Sequence, residues 1–342
     1  MLMVVFGAGA SYDSVPSRPP GQWPPQRLPA RPPLADELFD DRPEFVMAMK
    51  SFPECQPIVP YLQRIPSGSS LERVMQELQA EGPAYAERYR QLAAVKFYLH
   101  FMLWRCELTW NDVANGVTNY KTLLDQIERW RKSGEVVCIV TFNYDTLLES
   151  ALRAFGLEIR DLSEYISTDR YKIIKLHGSV NWAREVNTAI PDLAQMNTWE
   201  TAYRLIRGAA TLDISDRFIK VTEYPIGRSD DKAIFPAIAL PVESKTGYEC
   251  PAAHLEMLKS CISRVDKLLL VGWRATETDF LKLLRETLPG AVRCLTVAGS
   301  DDLARQTVDN IQRAGIEGDF RLAKGGFTDL VVARAADPFL RS

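Results

Sequence analysis

Four short segments of the chain carry glycine, amide, carboxylate and imidazole groups at spacings that suit ligand chemistry. They are residues 7–11 (GAGAS), 141–145 (TFNYD), 177–179 (HGS) and 272–279 (GWRATETD). Each of the first three follows an apolar run of strand character. In an open α/β sheet, ligands bind outside the carboxyl ends of the strands. We therefore expect the four segments to meet at one edge of a sheet and to form a site there.

The glycine-rich segment begins directly after the apolar residues 2–6. Glycines at Gly7 and Gly9 let the backbone come close to a phosphate, and a helix that starts here favours the negative charge. Ala8 and Ser11 complete this predicted phosphate-binding turn. The third glycine of the dinucleotide-binding fingerprint is missing, so a tight turn of an ordinary α/β protein is the alternative.

Asn143 and Asp145 follow the apolar residues 136–142, which have the composition of a strand buried on both faces. An asparagine side chain both donates and accepts hydrogen bonds, so Asn143 suits a ribose hydroxyl or an attacking water. Asp145 suits the amide hydrogens of a carboxamide. The alternative is that both residues cap a helix that begins near Thr146.

His177 differs from the other two histidines in its setting. It follows the apolar residues 173–176 and precedes Gly178, which predicts an imidazole at a strand end, able to take a proton near neutral pH. His100 lies in an apolar helical run and is predicted to be a core residue, whereas His254 lies near a helix start and is predicted to be exposed.

Gly272 and Trp273 follow another apolar strand, residues 267–271. A glycine at this position again permits a close approach to a ligand, and a helix is expected to start near Thr278 or Asp279. A capping role for those two residues is the alternative. Independent caps, however, need not converge on one sheet edge, and the ordered set of four segments is what favours a common site.

The elements that must position these residues alternate between strand and helix. This alternation predicts an α/β fold, a Rossmann-like doubly wound parallel sheet with an inserted helical module. We expect one domain over residues 1–342, with its core at about 1–15 and 132–335 and the module at 34–131. Residues 183–235 show no readable pattern, and the proline-rich residues 15–33 form either a loop at the crevice or an exposed excursion. Expected strands cover residues 2–6, 136–142, 173–176, 267–271 and 292–297, and expected helices cover 146–155, 280–288 and 301–314.

Composition narrows the function classes. A net charge of −3 argues against a dedicated, sequence-specific nucleic-acid binder. The six cysteines include no CxxC pair, several lie in apolar runs, and buried reduced thiols are therefore expected. No apolar stretch approaches the length of a membrane helix and no leader precedes the first strand, so we expect a cytoplasmic protein.

The ordered segments resemble the motifs of the sirtuin-like superfamily. GAGAS resembles its first glycine motif, and the Thr-x-Asn-x-Asp pattern resembles the motif that holds the nicotinamide ribose. His177 with Gly178 resembles the catalytic histidine segment, and Gly272 with Trp273 resembles the adenosine-ribose segment. The chain lacks the zinc-ribbon cysteines and the Pro-Asp-Phe-Arg-type segment of sirtuin deacylases. What remains resembles the bacterial NAD-hydrolysing branch that acts in antiphage defence.

This resemblance implies an NAD⁺ glycohydrolase that releases nicotinamide and ADP-ribose and depletes NAD⁺ during abortive infection. It implies His177 as the general base and Asn143 as the residue that holds the ribose or the water, with no metal. It further implies regulation through a homo-oligomer or a partner such as a motor ATPase or a short Argonaute. The expected NAD-binding residues are Gly7, Ala8, Gly9, Ser11, Asp145, Gly178, Gly272 and Trp273.

Three other functions remain open at this point. An NAD-dependent protein deacylase or ADP-ribosyltransferase would use the same site but would need a protein co-substrate. A non-catalytic module that senses NAD or ADP-ribose would not need both Asn143 and His177. A dinucleotide-dependent dehydrogenase would not explain the His-Gly strand end.

Overall fold

The computed structural model describes residues 1–15, 31–64, 70–114, 118–222, 224, 226–229, 231–241 and 247–341. Most of the proline-rich segment (16–30) therefore lies outside the described residues, and neither expectation for it is tested. The chain divides into two compact units. The first unit comprises Met1–Pro32, Thr109–Leu176 and Ala252–Ser342, and the second comprises Pro33–Leu108 and His177–Pro251.

The elements follow each other as strands and helices throughout the described chain. The strands are β1 (Leu2–Phe6), β2 (Val137–Thr141), β3 (Tyr171–Lys175), β4 (Gly178–Val186), β5 (Ile214–Lys220), β6 (Arg228–Ser229), β7 (Lys232–Ile238), β8 (Lys267–Val271), β9 (Val292–Val297) and β10 (Gly318–Leu322). The helices are α1 (Ala8–Ser14), α2 (Pro43–Lys50), α3 (Val59–Gln63), α4 (Leu71–Ala80), α5 (Ala86–Ala114), α6 (Asn119–Trp130), α7 (Leu147–Arg153), α8 (Glu164–Ser167), α9 (Thr198–Gly208), α10 (Ala252–Ile262), α11 (Thr278–Thr287), α12 (Asp301–Arg313), α13 (Phe327–Val332) and α14 (Asp337–Arg341).

The first unit is built on a six-stranded sheet in the order β10-β9-β8-β1-β2-β3. All of its strand pairs are parallel, which confirms the predicted parallel sheet. When the six strands of this sheet alone are renumbered 1 to 6 along the chain, their order across the sheet is 6-5-4-1-2-3, which is the order of doubly wound Rossmann folds. The order reverses between β1 and β8, and a ligand crevice is expected outside the carboxyl ends of those two strands.

The expected strands formed because their residues are apolar on both faces. Every residue of β1 and of β2 is buried, as a central parallel strand requires. Strand β10 was not expected from the sequence. Its residues Gly318–Leu322 (GDFRL) are mostly exposed and lie at the edge of the sheet, so they carry no apolar signal.

The second unit contains a four-stranded antiparallel sheet in the order β5-β4-β7-β6. Its strands and helix α9 lie largely in the stretch 183–235, in which the sequence showed no pattern. The missing pattern is explained by strand β5 (Ile214–Lys220), because all of its residues are at least partly exposed and give no apolar signal. Four buried residues from this region, Ala183, Val221, Ile226 and Ile234, form a small apolar cluster.

The helical stretch 34–131 expected from the sequence holds helices α2 to α6. Its residues up to Leu108 belong to the second unit, and the rest belong to the first. Helix α6 begins after Thr118, whose hydroxyl accepts from the Lys121 amide, and it packs against α1, α7, α13 and α14. Whether residues 34–131 act as one insertion module stays a prediction.

Two strand ends cross closely at the point where the strand order reverses. The Gly7 amide donates to the Val271 carbonyl at 3.0 Å, and the Gly9 amide donates to the Gly272 carbonyl at 3.1 Å. A Cβ on Gly7 would lie 2.5 Å from the Gly272 oxygen. Gly272 has a φ of +61°, and a Cβ there would overlap the Ala10 amide nitrogen. These glycines are therefore required by the backbone crossing itself.

The crossing predicts a large effect of Gly272→Ala on stability. We expect a loss of about 3 kcal/mol or more in the free energy of unfolding, because a strained φ is combined with steric overlap. Gly134→Ala is the matched control, since Gly134 has a φ of +79° and open space around it. The control should lose only about 1 kcal/mol in a denaturant titration. Equal losses for the two variants would contradict the crossing as a constraint.

Candidate functional site

Asn143 is the centre of a buried polar cluster at the carboxyl end of β2. Its side-chain nitrogen Nδ2 lies 2.9 Å from the Gly7 carbonyl oxygen, 2.9 Å from Ser11 Oγ and 3.0 Å from the Tyr120 hydroxyl. Its backbone amide donates to the Thr141 hydroxyl at 3.0 Å. A carbonyl oxygen only accepts, so Nδ2 must face Gly7. The amide oxygen Oδ1 of Asn143 is thereby turned away from Gly7.

Ser11 joins this cluster to Asp145. The Ser11 hydroxyl lies 2.8 Å from the Tyr120 hydroxyl, and its hydrogen bonding to the Asp145 carboxyl is one of the influences that lower the pKa of Asp145. With Asp145 ionised, its carboxylate only accepts, so Ser11 donates to Asp145 and Tyr120 donates to Ser11. Each of the three side chains is at least nine-tenths buried, and buried polar groups are costly unless they are paired in this way.

Asp145 combines a capping role with a place in the cluster. Its Oδ1 accepts from the Leu147 amide at 3.1 Å, at the start of α7, as the capping alternative predicted. Burial raises the pKa of the Asp145 carboxyl, while the nearby Lys175 charge and the Ser11 hydrogen bond lower it. The N-cap position of α7 itself is Thr146, whose side chain makes no capping bond.

Tyr120 was missed as a site residue. The sequence placed it in the apolar stripe of an amphipathic helix, and its ring does pack against Phe6 at a centroid distance of 4.8 Å. Its hydroxyl nevertheless bonds to Ser11 and Asn143, and burial raises its pKa far above the usual value. A tyrosine in an apolar stripe gives no sequence signal for a hydroxyl that bonds to residues elsewhere in the chain.

Trp273 is a core residue at the end of β8. Its ring stacks on Phe142 at 5.6 Å with an interplanar angle of 9° and meets Phe280 edge-on. Its indole nitrogen donates to Glu277, and only 2% of the residue is exposed. The following helix begins at Thr278 after Glu277, which makes no side-chain capping bond. Contact with a ligand would therefore fall to the backbone of Gly272 and Trp273.

His177 is the first residue of the second unit and follows Leu176, whose amide donates to the Thr141 carbonyl at 3.1 Å. It is half-buried, and its own carbonyl accepts from the Ala239 amide at 2.9 Å. Gly178 opens β4 with a φ of +76°, and a Cβ there would overlap the Ala237 carbonyl. The predicted strand end is thus present, and glycine is needed beside His177 for the pairing of β4 with β7.

The other two histidines are both buried. His100 is fully buried, as expected, and burial lowers its pKa to about 3. The expectation for His254 was wrong: it is 1% exposed and its Nε2 lies 2.8 Å from the Leu162 carbonyl. Helix α10 packs on β3, and His254 lies on its buried side, whereas Ala252 and Ala253 before it are exposed.

The structure brings one group of the predicted site residues together in the first unit, namely Gly7, Gly9, Ser11, Asn143, Asp145, Gly272 and Trp273. His177 and Gly178 belong to the second unit.

All six cysteines are buried and reduced, as expected. Within the described residues, no His, Cys, Asp and Glu side chains cluster as metal ligands would. None of the helices in the described ranges is long and apolar enough to cross a membrane.

The cluster predicts energetic coupling between Ser11 and Tyr120. Ser11→Ala and Tyr120→Phe should each lower the free energy of unfolding by about 1 to 2 kcal/mol, because each leaves buried partners unpaired. The double variant should lose less than the sum, by at least about 0.5 kcal/mol. A double-mutant cycle in urea measures this difference, and strictly additive losses would contradict the shared network.

Comparison with known proteins matches residues 137–214 to a family described as the SIR2-like domain. No curated protein matches the chain. A triple mutant of a Sir2 homologue in complex with 2′-O-acetyl ADP ribose is 14% identical over 99% of this chain and 90% of that chain, with a TM-score of 0.41. A sirtuin solved to study substrate affinity is 14% identical over 100% of this chain and 94% of that chain, with a TM-score of 0.37. The family match supports a sirtuin-like superfamily and an NAD-related function for this chain.

Proposed function

We propose that this chain hydrolyses the nicotinamide–ribose bond of NAD⁺. The observation that carries the proposal is the fixed orientation of Asn143, whose Nδ2 is held by Gly7, Ser11 and Tyr120. This leaves Oδ1 as the atom with which Asn143 accepts from a ribose hydroxyl or a water. The matched SIR2-like segment contains Asn143 and His177, which supports NAD⁺ as the substrate.

In the proposed reaction, the oxygen of a water bonds to C1′ of the ribose as the bond from C1′ to the nicotinamide nitrogen breaks. The bonding electrons leave with nicotinamide, which becomes neutral, and one water proton passes to His177 and then to solvent. The products are nicotinamide, ADP-ribose and a proton. Because the leaving group starts as a cation, the protein chiefly has to orient the reactants and stabilise charge.

The remaining site residues have proposed roles around this bond. The turn of Gly7, Ala8, Gly9 and Ser11 would hold the pyrophosphate, and Asp145 would orient the carboxamide. Gly178 would set the backbone beside His177, while Gly272 and Trp273 would bound the adenosine side through their backbone. Asn143 follows β2 and His177 follows β3, and these two strands pair in parallel, which supports roles for both residues in the proposed reaction.

The first test is nicotinamide release from NAD⁺ by the purified protein. His177→Ala and Asn143→Ala should each lower kcat at least about 100-fold, as expected for loss of a general base or of a positioning group. Asn187→Ala is the control, because the Asn187 side chain bonds to an exposed aspartate, Asp213. Full activity of either site variant, with the control also active, would overturn the mechanism.

We further propose that the activity is an NAD-depleting effector of antiphage defence inside the bacterial cytoplasm. An unregulated NAD⁺ hydrolase would drain its own cell, so regulation by a homo-oligomer or by a partner, such as a motor ATPase or a short Argonaute, belongs to the proposal. Assembly predicts that nicotinamide release per protomer rises with protein concentration. Constant specific activity from nanomolar to micromolar protein would contradict the homo-oligomer form.

A further inference from the structure

A fully buried lysine lies beside the Asn143 cluster. Lys175 is the last residue of β3, pairs in register with Thr141 of β2 and has no exposed surface (0%). Its neighbours Ile173, Ile174 and Leu176 are apolar and buried. A lysine in such surroundings needs partners, because its charge loses the hydration that water provides.

The partners of Lys175 come from two further elements. Its Nζ donates to Glu149 Oε1 on α7 at 2.9 Å and to the backbone oxygen of Asp145 at 2.5 Å. The hydroxyl of Tyr165, on α8, donates to the same Glu149 oxygen at 2.8 Å. Glu149 is 8% exposed. The ammonium group is therefore fixed on one side by a paired carboxylate and ties the Asp145 backbone on the other.

The side chain of Asp145 is surrounded by groups from four elements. They are Ser11 of α1, Tyr120 of α6, Lys175 of β3 and Glu149 of α7. Burial raises the pKa of Asp145, and the Lys175 charge is the largest influence that opposes this effect. The Glu149 charge acts in the opposite direction and raises the pKa of Asp145. The two members of one ion pair thus act on Asp145 with opposite sign.

We propose that Lys175 is a positioning residue for the Asn143–Asp145 turn: held by Glu149, it fixes the Asp145 backbone and keeps the Asp145 carboxylate charged. The charged carboxylate accepts from Ser11, which in turn contacts Asn143. Lys175 thus acts on the site through Asp145 and Ser11. The catalytic meaning of this role rests on the proposed NAD⁺ cleavage.

The test compares Glu149→Gln with the double variant Lys175→Met/Glu149→Gln. Both contain glutamine at position 149, so they differ only at Lys175. The double variant removes both members of the Lys175–Glu149 pair, which protects its folding, because a buried pair replaced as a whole is often tolerated. Asp145→Asn is also introduced into each of these two variants, which gives four proteins in all. The difference in the free energy of unfolding between the proteins with and without this substitution isolates the Asp145 proton.

The sign of the pH dependence follows from proton linkage. A carboxyl with a raised pKa in the folded state contributes stability below its unfolded pKa of about 4, and this is lost as the pH rises through the folded pKa. The difference in unfolding free energy between each variant and its Asp145→Asn counterpart should therefore fall as the pH rises, and it should level off above the folded-state pKa of Asp145. It should level off about one pH unit higher in the double variant than in Glu149→Gln, because a counter-ion has been removed.

If Lys175 were merely structural, its replacement would lower the free energy of unfolding equally at every pH. Superimposable pH curves for the two backgrounds would therefore overturn the proposal. If the protein is active, the acidic side of the pH–rate profile for nicotinamide release should also lie at higher pH in the double variant than in Glu149→Gln. If the curves separate but the wild type releases no nicotinamide, the positioning role stands and the proposed NAD⁺ cleavage fails.

Discussion

The close backbone crossing of the Gly7 turn and Gly272 is the constraint on which the rest of the first unit depends. Two amide–carbonyl bonds, from Gly7 to Val271 and from Gly9 to Gly272, join the ends of β1 and β8. No side chain fits at Gly7 or Gly272 without displacing the other strand end. The crossing fixes where helix α1 starts and thus where Ser11 meets the residues that follow β2.

A second constraint is that the polar groups packed behind this crossing must all be paired. Asn143, Ser11, Tyr120 and Asp145 are buried, and hydrogen bonds join Ser11 to Tyr120 and Asn143 to both of them. Such networks hold a unique arrangement when they are satisfied, and are costly when they are not. The same bonds that stabilise the fold thereby orient the one amide for which we propose a catalytic role.

The buried apolar strands of the central sheet could be predicted from the sequence, whereas the exposed polar strands could not. Strands β8 and β9 occupy the expected residues 267–271 and 292–297, since both are almost wholly buried. Strand β5 is partly exposed along its length and carried no such signal. Within the site, Asn143 and Asp145 were accessible to sequence reasoning as strand-end residues. Tyr120 was not, because its bond to Ser11 spans 109 positions and only the folded chain creates it.

The most direct test of the proposed site is a crystal structure of the His177→Ala variant with NAD⁺. We expect the pyrophosphate to lie against residues 7–11 and the nicotinamide ribose to lie within hydrogen-bonding distance of Asn143 Oδ1, with Nδ2 still bonded to Gly7. Bound NAD⁺ that leaves Asn143 untouched, or that lies away from the carboxyl ends of β1 and β2, would contradict it.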